Sequence, residues 1–440
     1  MSESIREEPS VDAVGLGAVD PARSRHAGRR SAVAVTDELV VAGLADGLAR
    51  AFDRETLTER WRATESGLVE PVDDRTEELD DRKDAEEEGE VEEEDGDSPV
   101  VAATSFASGV ALGTRGPAGL IRMHDAETGV LRWSYEAADD VGAPQRDTRF
   151  CLPFVADLVV QADRLYAAVR RYERDGDSRS FESVVYAFTP DGSVDWTFEA
   201  DASPIALDVR DDRLAVAYNR CPGEFQHGLV VLDAVDGTER WHWDPGTDGQ
   251  RRVGDVSLLH DGAVVASHGD YRGYRLLDGG AETWRVDLAR PTTVGSETLY
   301  AYPNHVQATD AGAVFVTGNT YAEDSRETES LHPTEHTAVG VGPDGDRRWS
   351  CDVGGFASEV ATEGRHIAVP GAQHFRTRTA SAHGQRLLDV LSGLSFEAET
   401  EGILSAVALD DDALVAIEEP VAYHDGDATL GAYRLHRWPL

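Results

Sequence analysis

Positive charge is scarce in this chain, so the places where it gathers carry information. Of 440 residues, 83 are Asp or Glu and 41 are Lys or Arg, with Lys83 the single lysine and a formal net charge of −42. Against that background Arg115, Arg170, Arg171, Arg220, His268, Arg272, His374, Arg376 and Arg378 all fall in connecting segments between short apolar runs. A guanidinium presents a planar fork of donors that grips phosphate or carboxylate through paired, charge-assisted bonds. Gathered at one place, these side chains would hold an anionic group. Left apart, they would pair with the Asp and Glu around them.

Other candidates for chemistry are thinner. His332 and His336 are four apart, the spacing of helical metal ligands, but they flank Pro333 in a loop without an evident third ligand and read as solvated histidines. The stretch from Asp244, DPGTDGQ, is rich in oxygen ligands yet lacks the spacing and terminal Glu of a calcium loop. Cys151, Cys221 and Cys351 are odd in number and far apart, which suggests free thiols instead of a disulfide framework or a metal site. Neither a nucleophile elbow nor a phosphate-binding glycine loop occurs in a strand–turn–helix context. No catalytic residue, metal or cofactor is therefore expected.

The elements that must carry these loops repeat. DAETGVLRW, ending at Trp133, returns as PDGSVDW at Trp196, VDGTERW at Trp241, DGGAETW at Trp284 and PDGDRRW at Trp349. In each, a turn Gly (Gly129, Gly192, Gly237, Gly280, Gly345) precedes the Trp by four residues and follows an apolar run. Looser copies lie at Leu57/Trp61 and Gly393/Phe396, and Trp438 ends the series. Asp and Gly supply the side-chain bonds and positive φ of a tight hairpin, and the Trp opens the next strand as a packing unit. Spacings mostly in the forties, with about four short strands per unit, predict an all-β fold: a single β-propeller of eight four-stranded blades over residues 31–440. Seven blades is the alternative, because the final unit lacks the turn Gly.

The pattern Ala126–Gly129–Trp133 and Ala234–Gly237–Trp241 resembles the tryptophan-docking repeat of pyrroloquinoline-quinone-type propellers. That family includes quinoprotein alcohol dehydrogenases and the lipoprotein subunit of the outer-membrane barrel-assembly machinery. The resemblance implies a propeller. It leaves two functional classes: a non-catalytic scaffold that holds a protein partner or an anionic ligand, or a PQQ-dependent oxidoreductase. The dehydrogenases pair the quinone with Ca²⁺, an Asp base and a stacking Trp, often beside adjacent cysteines. This chain has no adjacent cysteines, which favours the scaffold.

The long connections fall between the second and third strands of the units, as in RRYERDGDSRSFES, NRCPGEFQHG, HGDYRG and GAQHFRTRTASAHG. In an up-and-down blade these loops share one face with the blade-to-blade links, so one face is elaborated, and loops on a rigid scaffold are where binding residues usually sit. Residues 67–98 carry a block of like charge that reads as a solvated, disordered loop. Residues 1–30 read as partly flexible, although VDAVGLGAV from Val11 to Val19 suits an outer strand that pairs near Tyr433 and completes the last blade. The acidic surface suits a salt-rich cytoplasm and argues against nucleic acid, which needs a basic footprint. Without a leader-like apolar stretch or an apolar run of membrane-spanning length, a cytoplasmic protein is expected.

Overall fold

The computed structural model describes residues 11–23, 30–67, 69–70, 98–146, 148–324, 326, 328–423 and 428–440. Residues 71–97 of the acidic stretch and the first ten residues lie outside these, whereas Val69–Glu70, expected as loop, pairs with Arg62 and Ala63 as a fifth strand of the first blade. The described chain folds into eight antiparallel blades, most of them four strands added in sequence order. The second blade is typical: Val100–Phe106, Gly109–Thr114, Leu120–Asp125 and Leu131–Glu136.

The chemistry of the repeat explains both the turn and the joint between blades. Asp125 Oδ1 accepts from the Thr128 amide at 2.9 Å and its hydroxyl at 2.8 Å, and Gly129 closes the turn at φ +71° by donating to Asp125 O. Arg132 and Thr128 hold the Asp125 carboxyl down at about 2. The glycine has a second reason to be there. A Cβ on Gly129 would lie 2.6 Å from Trp61 of the preceding blade, and Gly192, Gly237 and Gly345 stand in the same relation to Trp133, Trp196 and Trp284. Each of those indoles also donates across the joint: Trp61 to Ala126 O at 2.7 Å, Trp133 to Pro190 O at 3.1 Å, Trp196 to Ala234 O at 3.3 Å and Trp284 to Pro343 O at 2.8 Å. Trp349 does the same with Val390 O at 3.2 Å, beside Gly393. The motif is thus a clasp between neighbours. Trp241 sits more loosely, 3.6 Å from the Cβ position of Gly280.

Apolar clusters fill the wedge between adjacent blades, as Val231, Leu229, Val256 and Val265 do between the fourth and fifth. On the inner strands a second set of links runs around the ring. Asp157 Oδ2 accepts from Leu207 N at 2.8 Å, Asp208 Oδ2 from Leu258 N at 2.5 Å, Asp255 Oδ2 from Val306 N at 2.8 Å and Glu359 Oε1 from Val407 N at 3.0 Å. Burial raises Asp208 to about 6 and Asp255 well above the usual carboxylate range.

The ring closes between the last blade and the first. Ile403–Leu409, Ala413–Glu419 and Arg434–Pro439 are joined by Asp12–Gly15 from the N-terminal segment, in the register Asp12↔Arg437 and Val14↔Leu435. Leu16 follows, buried beside Val33, Val40 and Leu435. Trp438 therefore lies on a third strand, not at the fourth-strand position of the other tryptophans, and is out of register with the repeat.

Two segments differ from the sequence expectation. RRYERDGDSRSFES is an extension of strands, not a loop: Arg164–Asp175 and Ser178–Phe188 pair out to Asp175↔Ser178, because its alternating residues allow the ladder to continue. Glu297–Thr309 begins before the sixth blade's apolar run and pairs with Gly312–Ala322 from Leu299 to Thr309, with irregularities around Pro303, taking up part of the expected connection. Within the described residues no helix is long and apolar enough to cross a membrane.

Candidate anion-binding site at the mouth of the ring

One cavity of about 930 Å³ is lined by the second blade, the link from second to third, the third and fourth blades, the link from fourth to fifth, and the sixth and seventh blades. Only a cavity near the ring axis can touch so many blades. Eight arginines reach it: Arg115, Arg146, Arg149, Arg170, Arg174, Arg179, Arg220 and Arg251. Among the described residues no carboxylate lines it, in a protein with twice as many acids as bases. Phe150, Phe154, Tyr172, Phe181, Tyr321, Phe356 and Phe375 form the apolar part of the wall.

The architecture holds these guanidiniums beside one another. Arg220 ends the strand Arg213–Arg220 and bridges to Arg251 on the next interblade link. Burial and the charges of Arg251 and Arg179 lower Arg220 to about 10. Aromatic faces offset part of that repulsion. Arg115 lies 3.9 Å above Phe154, Arg170 is 5.2 Å from the same ring, and Arg251 is 4.9 Å from Tyr302. Such contacts position a cation over an aromatic face.

The sequence candidates separate into four groups. Arg115, Arg170 and Arg220 converge on this cavity. His268 does not line it; it packs 4.9 Å from Tyr302 and is 5 % exposed, and burial and then Arg251 hold it at about 3, so it is neutral and adds no positive charge. Arg272 is engaged by Asp287 at 2.6 Å and Asp270 at 3.1 Å, and Arg171 by Glu173 and Val141 O. His374, Arg376 and Arg378 belong to the seventh blade. Arg376 and Arg378 line an adjoining cavity of about 760 Å³ that shares Asn319, Tyr321 and Phe375 with the first, and Arg376 is paired there with Glu329. His332 and His336 are both buried instead of solvated: His332 bonds Arg290 O at 3.1 Å and His336 bonds Asn319 Oδ1 at 2.9 Å.

Sequence reasoning missed Arg146, Arg149, Arg174, Arg179 and Arg251. Arg174 and Arg179 face each other on the third blade's extended hairpin, and the other three sit on interblade links, in the stretches PQRDTRF and GQRRV. The signal was available, since links and second-to-third-strand loops share a face and arginine pairs stand out in so acidic a chain.

The family model described as outer membrane protein assembly factor BamB matches residues 45–257 and 117–372, together more than half of the chain. The chain belongs to that family. Among solved structures, the quinohemoprotein alcohol dehydrogenase ADHIIG from Pseudomonas putida HK5 is similar at 10% identity and a TM-score of 0.54, over 97% of this chain and 76% of that one. The computationally designed Ika8 protein is similar at 13% identity and a TM-score of 0.52, over 94% and 98%. These likenesses establish the fold alone. A holo-[acyl-carrier-protein] synthase from Salinispora arenicola is 30% identical over 129 residues, 29% of this chain and 89% of that protein. That match takes in under a third of this chain.

Proposed function

We propose that this family member is a non-catalytic binding scaffold whose arginine-lined mouth holds an anionic group, most simply a run of Asp or Glu side chains on a partner protein. The observation that carries the reading is the gathering of eight guanidiniums around one cavity without a described carboxylate among them. Like charges brought together and partly desolvated cost free energy, and a bound anion would relieve that cost while gaining charge-assisted bonds. The volume suits a short peptide segment, and the aromatic wall suits its apolar side chains.

The dehydrogenases to which the repeat is related imply the quinone with Ca²⁺, a carboxylate base and a stacking Trp. The residues present do not fit that group: the described wall of the cavity offers no Trp and no carboxylate, and its guanidiniums would repel a calcium ion. Of the three cysteines, which are all free, only Cys151 reaches it.

Isothermal titration with octaglutamate at several KCl concentrations tests the proposal. One saturable site is expected, weakening as salt rises and lost in the double substitution Arg220→Ala and Arg251→Ala. Absence of saturable binding at every salt concentration would refute it.

A further inference from the structure

A second site lies beside the arginine cavity, where the sixth and seventh blades meet. Among the described residues, Glu335, His336 and His374 form the one group of three in which carboxylate and imidazole ligand atoms all lie within 4.8 Å of one another. Glu335 Oε1 is 3.9 Å from His336 Nε2 and 3.9 Å from His374 Nδ1. Asn319 Oδ1 is 2.9 Å from His336 Nε2. Ligands around an ion at roughly 2.1 Å stand about 3.0–3.4 Å apart, so side-chain rotations on the order of 1 Å close the set.

We infer that Glu335, His336 and His374, with the Asn319 side-chain oxygen as a fourth ligand, bind a divalent transition-metal ion of the zinc, cobalt or ferrous type. The surroundings already orient the donors. Thr320 holds the other carboxylate oxygen of Glu335, with its amide at 3.1 Å and with its hydroxyl, so that Oε1 is the atom presented to the imidazoles. His336 takes φ +44°, a left-handed backbone uncommon for a residue with a side chain, while Gly318 O and Val353 N bond its main chain. His374 Nδ1 accepts a long hydrogen bond from the Arg376 amide at 3.4 Å, so it is unprotonated, and a metal would take over its single lone pair by displacing that bond. Two imidazoles and one carboxylate select a borderline ion over Ca²⁺ or Mg²⁺, which take oxygen ligands.

Glu335 and Asn319 line the 760 Å³ cavity, so the ion would keep open positions toward it. It would also join the two blades, with Asn319, Glu335 and His336 on the sixth and His374 on the seventh.

The test uses the full tag-free chain, stripped with EDTA and titrated with Co²⁺ in molar KCl to screen the acidic surface. One Co²⁺ per chain is expected, with visible absorption of nitrogen and oxygen coordination and displacement by Zn²⁺. His374→Ala, in the loop before Arg376, should weaken binding at least a hundredfold with an unchanged melting temperature in the metal-free state. Glu335→Gln should do the same, Thr320→Val should cost about tenfold through the orientation of Glu335, and the exposed His260→Ala should change nothing. Absence of the absorption bands, or equal affinity in His374→Ala and the parent, would overturn the inference. Octaglutamate binding is read separately, so either site can fail without the other.

Discussion

Gly237→Ala isolates what the repeat glycine does. At φ +74° an alanine adopts the left-handed region at a cost of about 1–2 kcal/mol. Its Cβ would then stand 2.6 Å from Trp196 Cε3 and 2.7 Å from Cδ2, inside any real carbon contact, so the indole must withdraw. Trp196 is buried and held by Ala234 O and by Tyr166 at a ring separation of 5.9 Å. Withdrawal forfeits a hydrogen bond worth about 1 kcal/mol and disturbs packing by about 1–3 kcal/mol more. The total is about 3–6 kcal/mol. Gly176 at φ +58° has nothing within 4 Å of its Cβ position, so Gly176→Ala carries the backbone cost alone, about 1–2 kcal/mol. Equilibrium urea denaturation at fixed KCl compares the two. Equal losses would refute the view that the glycine serves the neighbouring blade's tryptophan.

Three further outcomes follow from the same physics. Asp208 is a carboxyl raised in the folded state from 3.8 to about 6, so the fold binds the extra proton and its contribution is fully present below pH 4 and lost as pH rises through 6; Asp208→Asn should gain on the parent by about 3 kcal/mol between pH 4 and 7, and parallel stability-pH curves would contradict this. Deleting residues 1–20 removes the edge strand Asp12–Gly15 and buried Leu16, and should cost at least about 2 kcal/mol from Leu16 alone, seen as a lower melting temperature at constant salt. Arg272→Ala should leave octaglutamate affinity unchanged within twofold, because Asp270 and Asp287 already hold that guanidinium; a tenfold loss would place it in the site.

The fold was legible because its signal is local and periodic. Asp125, Gly129 and Trp133 each have a reason that a nine-residue stretch displays, and the reason repeats. The carboxylates Asp157, Asp208 and Asp255 were not legible as interblade links, since in an acidic chain three more aspartates on inner strands carry no distinguishing mark. The site was half legible. Arg115, Arg170 and Arg220 declared themselves by chemistry and loop position, yet Arg272 shares both and is neutralised by acids that only the folded chain brings near. His336 and His374 are separated by a whole blade boundary, so no spacing rule joins them. Their meeting depends on blade packing, which the sequence implies in outline and not in detail.

The central claim, that the arginine cavity is kept in a costly state for the sake of an anion, is tested most directly by Arg220→Met, which keeps the aliphatic bulk and removes one crowded charge. Two quantities are measured in the same chloride buffer: urea-denaturation stability without ligand, and octaglutamate affinity. The account predicts that stability rises by about 1 kcal/mol as repulsion with Arg251 and Arg179 is relieved, while affinity falls at least tenfold. Lower stability with unchanged affinity would contradict it.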